Sequence, residues 1–575
     1  MTLEQIADKV VETDVLVIGG GIAGCPVAAK AKEHGLNVTL VEKSRTDRSG
    51  SAGQGIDHYG IFPREGVTPL ELVRHWMHAL NFANGEGRWA DPNIMFRYYD
   101  NGFWTLEELE KLGIPMKWDD GQYYWMPHRG PGMDPMVAHK LGLRVHWQNV
   151  KPLMAKAVRK RGVNVLERTM VVDLLTNKGK VVGATAVNTR TGEFTVIKAK
   201  AVVIATGLFA RCYEPETPLF WKYKFRYHWC PATVSGDGWA VACRAGAELA
   251  SMEITGWGFR IRDDLNISFG NFPINDGLPS QPLNWKGEEI SYGVWQSASG
   301  YAELERKSLA PIYHSLEHLP DDYHKRMEVA YVDERLVSFK VAEDRGFNPR
   351  THWYELMPNK PHNLVNVAGI NTNEDLKASL KGLYAIGDCV AGLHSCGEAA
   401  FTGFFVGDNI HTFVSEAEEP VVDEAQVESQ KQAALAPLSV KDGTEPMELE
   451  CAIRYICERY VGQFKSEGKL REGQRRLSSL RKVFLPKLIA KNPHYLMRCL
   501  EVRNIMDLAE LHLNACLERK ETRGAHIRLD YPERDPSRDN MLTFQRMEDG
   551  KPVLEIREAP ELKPEYAKEV REDVN

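Results

Sequence analysis

The chain has 575 residues, of which 43% are hydrophobic and 26% charged, and carries a net charge of −7 at neutral pH. That length implies two or three domains of ordinary globular composition. The acidic balance gives no electrostatic case for nucleic acid or an anionic membrane, and no apolar run approaches the roughly 18 residues a membrane helix needs. The opening stretch, Met1 to Glu12, is charged and amphipathic without a secretory apolar core, so a cytoplasmic protein with no direct membrane insertion is expected.

Val15-Leu16-Val17-Ile18 predicts a buried strand that turns through Gly19-Gly20-Gly21-Ile22-Ala23-Gly24 into a helix. Gly19, Gly21 and Gly24 fit G-x-G-x-x-G. The first glycine permits the tight turn, the second lets backbone approach a pyrophosphate, and the third allows close helix–strand packing. Ile22 and Ala23 lie where the helix start offers N–H groups to phosphate. A second strand, Leu36 to Val41, ends at Glu42, placed to bond ribose hydroxyls, and Lys43 follows it. A strand, helix, strand and acid in register point to a dinucleotide.

Next, Ser49-Gly50-Ser51 and Gly53-Gln54-Gly55 form a small-residue loop whose backbone amides can reach a flavin ring and its ribityl chain. The stretches 163–166, 171–175, 181–188 and 193–198 are expected to form a small antiparallel inset. A buried strand from Ala201 then runs into Ala205-Thr206-Gly207, and Asp237 stands in a later Gly-Asp-Gly turn. Residues 246–360, interrupted by Pro and Gly, suggest a cap. Gly382-Leu383-Tyr384-Ala385-Ile386 predicts another short strand, ending at Gly387-Asp388, where an acid can bond ribityl hydroxyls. Together with the first fingerprint, this second strand specifies FAD in a domain that the chain leaves and re-enters.

The acidic stretch from Ser415 to Ala436 suggests an exposed linker, and Glu448 to Glu518 shows helical periodicity, with Ile453, Ile456, Tyr460 and Phe464 on one face. The expected fold is α/β: a Rossmann-like FAD-binding domain with an inserted α+β capping domain and a C-terminal helical domain. The boundaries are 1–245 and 361–425 for the FAD-binding domain, 246–360 for the cap, 437–530 for the helical domain and 531–575 for a tail with a β-hairpin. Ten cysteines without a Cys-x-x-Cys pair imply reduced thiols and no metal. Cys389 and Cys396 flank the flavin turn, where packing is favoured over a redox pair.

These segments resemble the flavoprotein subunits of the succinate dehydrogenase/fumarate reductase superfamily. Gly236-Asp237-Gly238, Met252-Glu253, Lys286-Gly287-Glu288-Glu289 and Arg519-Lys520-Glu521-Thr522-Arg523-Gly524-Ala525-His526-Ile527-Arg528 extend the likeness across nearly the whole chain. Within the superfamily, the cofactor segments are most similar to those of the α subunit of dissimilatory adenylylsulfate reductases. The family histidine that binds FAD covalently in complex II type enzymes falls at Ser49, so the resemblance implies non-covalent FAD here. Their dicarboxylate-clamping His-Thr pair is missing after Met252-Glu253, and their second substrate histidine falls at Leu364, with His362 displaced. The adenylylsulfate reductase likeness implies His394 over the flavin and Arg260 as a substrate cation, with Trp229 and His128 in the pocket walls. The bland alternatives are a structural histidine and a surface arginine of the cap. The implied activity is reduction of a small anionic substrate at flavin N5, with electrons from a ferredoxin-like iron–sulfur subunit. A fumarate reductase-like enoate reductase, or an electron-transfer flavoprotein without its own substrate, are the alternatives.

Overall fold

A computed structural model of the chain describes residues 2–56, 58–59, 68–74, 77, 91–117, 119–123, 143–145, 149–213, 231–255, 259–261, 281–290, 298–321, 324, 344, 346, 348, 350–358, 367–393, 395–548 and 550–568. Its central layer follows from apolar strands: β1 (Lys9–Ile18), then helix α1 (Gly24–Glu33), β2 (Val38–Glu42), helix α2 (Val150–Lys160), β3 (Asn164–Glu167), β4 (Thr169–Asn177), β5 (Lys180–Asn188) and β6 (Phe194–Ile204). The order across the sheet is β3-β2-β1-β6-β5-β4. Val15, Leu16, Val17, Leu40, Val202, Val203 and Ile204 are fully buried, as strands covered on both faces require.

Two expectations for this layer are corrected. The strand at Asn164 belongs not to the antiparallel inset but to the parallel half, with Leu40 opposite Val165. The crossover through α2 delivers it to the open edge of β2. Residues 194–204 are also one strand rather than two. β1 reaches back to Lys9, so β6 has a parallel partner along its whole length, from Lys9 opposite Thr195 to Ile18 opposite Ile204. Its first half also pairs antiparallel with β5.

The chain continues through α3 (Asp237–Arg244), β7 (Leu249–Ala250), β8 (Phe259–Ile261), β9 (Gln281–Asn284), β10 (Ile312–Ser315), β11 (Tyr354–Pro358), β12 (Gly369–Ile370) and β13 (Leu383–Ala385). Strands β8 to β11 form an antiparallel sheet of order β8-β11-β10-β9. β13 returns to the central sheet, parallel to β6, with Ala385 opposite Ile204. The strand ends at Ile18, Ile204 and Ala385 are therefore level, and the turns after them share the carboxyl edge, where open α/β sheets bind ligands.

The remaining elements are α4 (Cys396–Glu416), α5 (Glu424–Leu435), α6 (Pro446–Ile456), α7 (Glu467–Val483), α8 (Pro493–Glu518) and the hairpin β14 (Met541–Glu548) and β15 (Lys551–Glu558), which extends β7. Helix α4 lies on α1 because glycines face it. A Cβ on Gly403 would sit 2.3 Å from the Ala23 carbonyl oxygen, and one on Gly407 would sit 2.7 Å from Lys30 Cβ. The stretch expected as a linker contains α5. Asp423 caps it by accepting from Ala425 N–H at 2.9 Å. Gln430 docks it on the sheet, donating to the Leu174 carbonyl at 2.9 Å and accepting from Thr185 Oγ1 at 2.7 Å. Amide side chains do here what an apolar stripe usually does, so helical hydrophobic periodicity is missing from the sequence.

Candidate FAD site

The turn after β1 is shaped by close approach. Gly19 has φ +106°, and a Cβ there would lie 2.5 Å from the Ala205 carbonyl oxygen. On Gly24 a Cβ would lie 1.8 Å from the Gly19 carbonyl oxygen. At Gly21 the situation is reversed: a Cβ would meet nothing nearer than Ala205 O at 4.0 Å. Protein packing does not require glycine at 21, and the open space is a cradle that a side chain would fill. A pyrophosphate approaching the backbone needs that space.

Glu42, at the end of β2, is 6% exposed and accepts from Gly20 N–H at 2.8 Å and Ser44 N–H at 2.7 Å. These bonds hold its carboxylate beside the glycine turn and leave lone pairs for ribose hydroxyls. Ser49 is buried, and its hydroxyl donates to the Gly20 carbonyl at 3.3 Å. Gly50 has φ +74°, and a Cβ on it would come 3.3 Å from Gly21 Cα, so this loop covers the turn. Ser51, Gly53 and Gln54 form a short 3-10 turn that ends at Gly55, and the side chain of Gln54 lies outside the described residues.

The turn after β6 passes beneath Gly19. Thr206 Oγ1 accepts from Gly238 N–H at 3.1 Å, and Thr206 N–H donates to Cys389 Sγ at 3.1 Å. Cys389 in turn donates to the Gly207 carbonyl at 3.3 Å. Burial pushes this thiol up to about 12, and its role here is to tie the turn after β6 to that after β13. Gly387 N–H donates to Thr402 Oγ1 at 2.9 Å, which seats the turn on α4. The Asp388 carboxyl has no hydrogen-bond partner among the described residues. Burial, with the Glu398 carboxylate adding to it, raises it to about 7. A carboxyl in that state gains from hydroxyl donors, which a ribityl chain supplies. The glycine cradle, Glu42 and Asp388 thus fit FAD.

Lys43 and Asp237 turn instead toward the helical domain. Lys43 Nζ lies 2.6 Å from Asp237 Oδ2 and 2.7 Å from Glu501 Oε1 on α8. Burial raises the Glu501 carboxyl, but Lys43, Arg211 and Arg498 together hold it at about 2. Asn504 of α8 donates to Asp237 at 2.8 Å. These contacts join the two domains beside the site.

His394, His362, Leu364, His128 and Trp229 lie outside the described residues. Next to His394, Leu393 is 3% exposed, and Ser395 caps α4, its N–H donating to Glu398 Oε2 at 2.6 Å. The Arg260 backbone is described in β8 opposite Met357, and its side chain is not. Sequence reasoning missed Lys151, which is 1% exposed on α2 and donates to the Gly20 carbonyl. Its signal was a lysine in register with Met154, Ala155 and Val158 on an otherwise apolar helix face.

Comparison with known proteins follows the same division. Residues 14–260 match the FAD binding domain family and residues 452–568 the fumarate reductase flavoprotein C-terminal family. The fumarate reductase flavoprotein subunit of Haemophilus influenzae is 23% identical over 98% of this chain and 96% of its own length. An L-aspartate oxidase from Yersinia pestis is 26% identical over 91% of this chain and 96% of its own. Adenylylsulfate reductase from Archaeoglobus fulgidus has the same fold, with a TM-score of 0.80 at 24% identity and 96% of each chain covered. The chain carries an FAD binding domain and a fumarate reductase flavoprotein C-terminal domain, fumarate reductase flavoproteins are among its relatives, and it is an FAD-dependent oxidoreductase.

Proposed function

We propose that the chain is the catalytic flavoprotein subunit of a cytoplasmic redox system that reduces a small anionic substrate of the adenylylsulfate kind, with electrons from a ferredoxin-like iron–sulfur protein. The observation that carries this reading is the burial of the segment after Met252-Glu253. In complex II type relatives, by resemblance, a His-Thr pair there clamps a dicarboxylate. Here Ile254 is fully buried against Val367, and Thr255 is 1% exposed. Glu253 is occupied by Arg519 at 2.6 Å and Thr543 at 2.5 Å. Its described residues, Glu253 to Thr255, serve the core, and none of them offers a cation to a dicarboxylate.

Bound FAD supplies two-electron chemistry at N5. Arg260, on β8 of the cap sheet, provides the guanidinium that holds an anionic group and stabilises charge developing on it. His394, immediately before the cap of α4, orients the substrate or moves its proton. Glu42, the glycine cradle and Asp388 keep the cofactor in register.

The test is an anaerobic absorbance spectrum of the FAD-loaded, oxidised protein before and after sulfite is added, with and without AMP. Bleaching of the flavin band that requires AMP supports the reading, and an unchanged spectrum overturns the substrate. The whole-length similarity to the Haemophilus influenzae fumarate reductase subunit favours a second reading, an enoate reductase. Reoxidation of the reduced protein by fumarate would select it.

A further inference from the structure

A single residue at the centre of the nucleotide turn, Gly20, is held at both its backbone N–H and its carbonyl oxygen. The Gly20 N–H donates to Glu42 Oε2 at 2.8 Å. Its carbonyl oxygen accepts from Ser49 Oγ and Cys25 Sγ, each at 3.3 Å, and from the Lys151 ammonium. Three side-chain donors thus converge on an atom with two lone pairs. Lys151 Nζ also lies 3.7 Å from Cys25 Sγ, and among the described residues no carboxylate forms an ion pair with it. A buried ammonium without a directly paired carboxylate is costly, and an anion arriving at the turn offsets that cost.

The carbonyl of Gly20 and the N–H of Gly21 are opposite ends of one planar trans peptide. A cation on the oxygen polarises the unit and strengthens that N–H as a donor. Gly21 N–H has no acceptor among the described residues, and Gly21 borders the open cradle. We propose that Lys151 is a cofactor-positioning residue. It locks the Gly20–Gly21 peptide with its N–H turned toward the FAD pyrophosphate and supplies a buried positive charge to that dianion.

The test uses the full chain freed of flavin. FAD, ADP and adenosine are titrated into the wild type and into Lys151→Met, Lys151→Gln and Lys151→Arg, by flavin fluorescence for FAD and by calorimetry or competition for the others. Lys151→Met should weaken FAD and ADP alike, on the order of tenfold to a hundredfold, the worth of a charge-assisted hydrogen bond. Adenosine, which has no phosphate, should bind within about twofold of wild type. Lys151→Gln keeps a donor without the charge and should fall between, and Lys151→Arg should restore most of the affinity. A role in structure alone would weaken adenosine by the same factor as ADP, and that result overturns the proposal. So does FAD binding within about twofold of wild type in folded Lys151→Met. If Lys151→Met does not fold, Lys151→Gln carries the comparison. Failure of both neutral variants to fold makes Lys151 a structural residue and overturns the assignment.

Discussion

Arg519 and Glu253 meet at 2.6 Å although 266 residues separate them in sequence. Arg519 is 1% exposed and Glu253 fully buried, and the guanidinium also reaches Glu521 at 2.7 Å and the Met541 carbonyl at 2.9 Å. The arginine-rich stretch after α8 is therefore a clamp that closes the helical domain onto the segment leading into the cap. Removing Arg519 takes the shared guanidinium from the buried carboxylates of Glu253 and Glu521, and neutralising Glu253 leaves Arg519 only Glu521 as its carboxylate partner among the described residues. Glu253→Gln or Arg519→Met should each cost about 3–5 kcal/mol, while pairing Glu253→Met with Arg519→Met should recover part of that loss. Urea unfolding midpoints measure both effects, and additive losses in the double variant would show that the pair is not coupled.

The uses of glycine at positions 21 and 24 of the nucleotide turn should separate cleanly. Gly24→Ala drives a methyl into the Gly19 carbonyl, 1.8 Å away, and should destabilise the flavin-free protein by at least about 3 kcal/mol. Gly21→Ala places its methyl in open space, so flavin-free stability should change by less than about 1 kcal/mol while FAD affinity falls by roughly tenfold or more. Calorimetry without flavin and an FAD titration distinguish them. Full FAD affinity in Gly21→Ala would remove the pyrophosphate from that cradle.

Asp388 makes FAD binding pH-dependent. In the flavin-free fold its carboxyl is raised to about 7, above the ordinary carboxylate range, by burial and then by Glu398. The folded state thus holds a proton that the unfolded chain has released, and flavin-free stability should fall as pH rises from about 4 to about 7. Ribityl hydroxyls donate to the ionised form, so FAD binding expels the proton, and affinity should climb with pH and level off above about 7. In Asp388→Asn both dependences should flatten. An FAD dissociation constant that is constant across this window in the wild type would place the ribityl chain elsewhere.

Ser49 sets how the flavin is retained. Its hydroxyl is buried and donates to the Gly20 carbonyl, and it stands where, by resemblance, covalent relatives carry histidine. Acid precipitation of the FAD-loaded protein should leave all the flavin in the supernatant. A fluorescent flavin band on a denaturing gel would contradict this.

The nucleotide half of the fold is legible in the sequence because its determinants are local. Buried parallel strands appear as continuous apolar runs, and a backbone–phosphate approach demands glycine at fixed spacing, as Gly19, Gly21 and Gly24 show. The capping of α4 by Ser395 and Glu398 is local in the same sense. What only the tertiary structure decides depends on partners distant in sequence. Helix α5 lacks an apolar stripe because amides of Gln426 and Gln430 dock it on strands some 250 residues earlier. β6 is a single strand because β1 extends back to Lys9 to pair with it. Lys43 finds Glu501 and Asp237 finds Asn504, both on α8 and more than 260 residues beyond Asp237, which no local pattern announces. Lys151 lies in register with an apolar helix face, but only the fold brings it to the Gly20 carbonyl. Periodicity and spacing specify which backbone a segment adopts, whereas a buried charge acquires its role only from the group that chain folding brings to it.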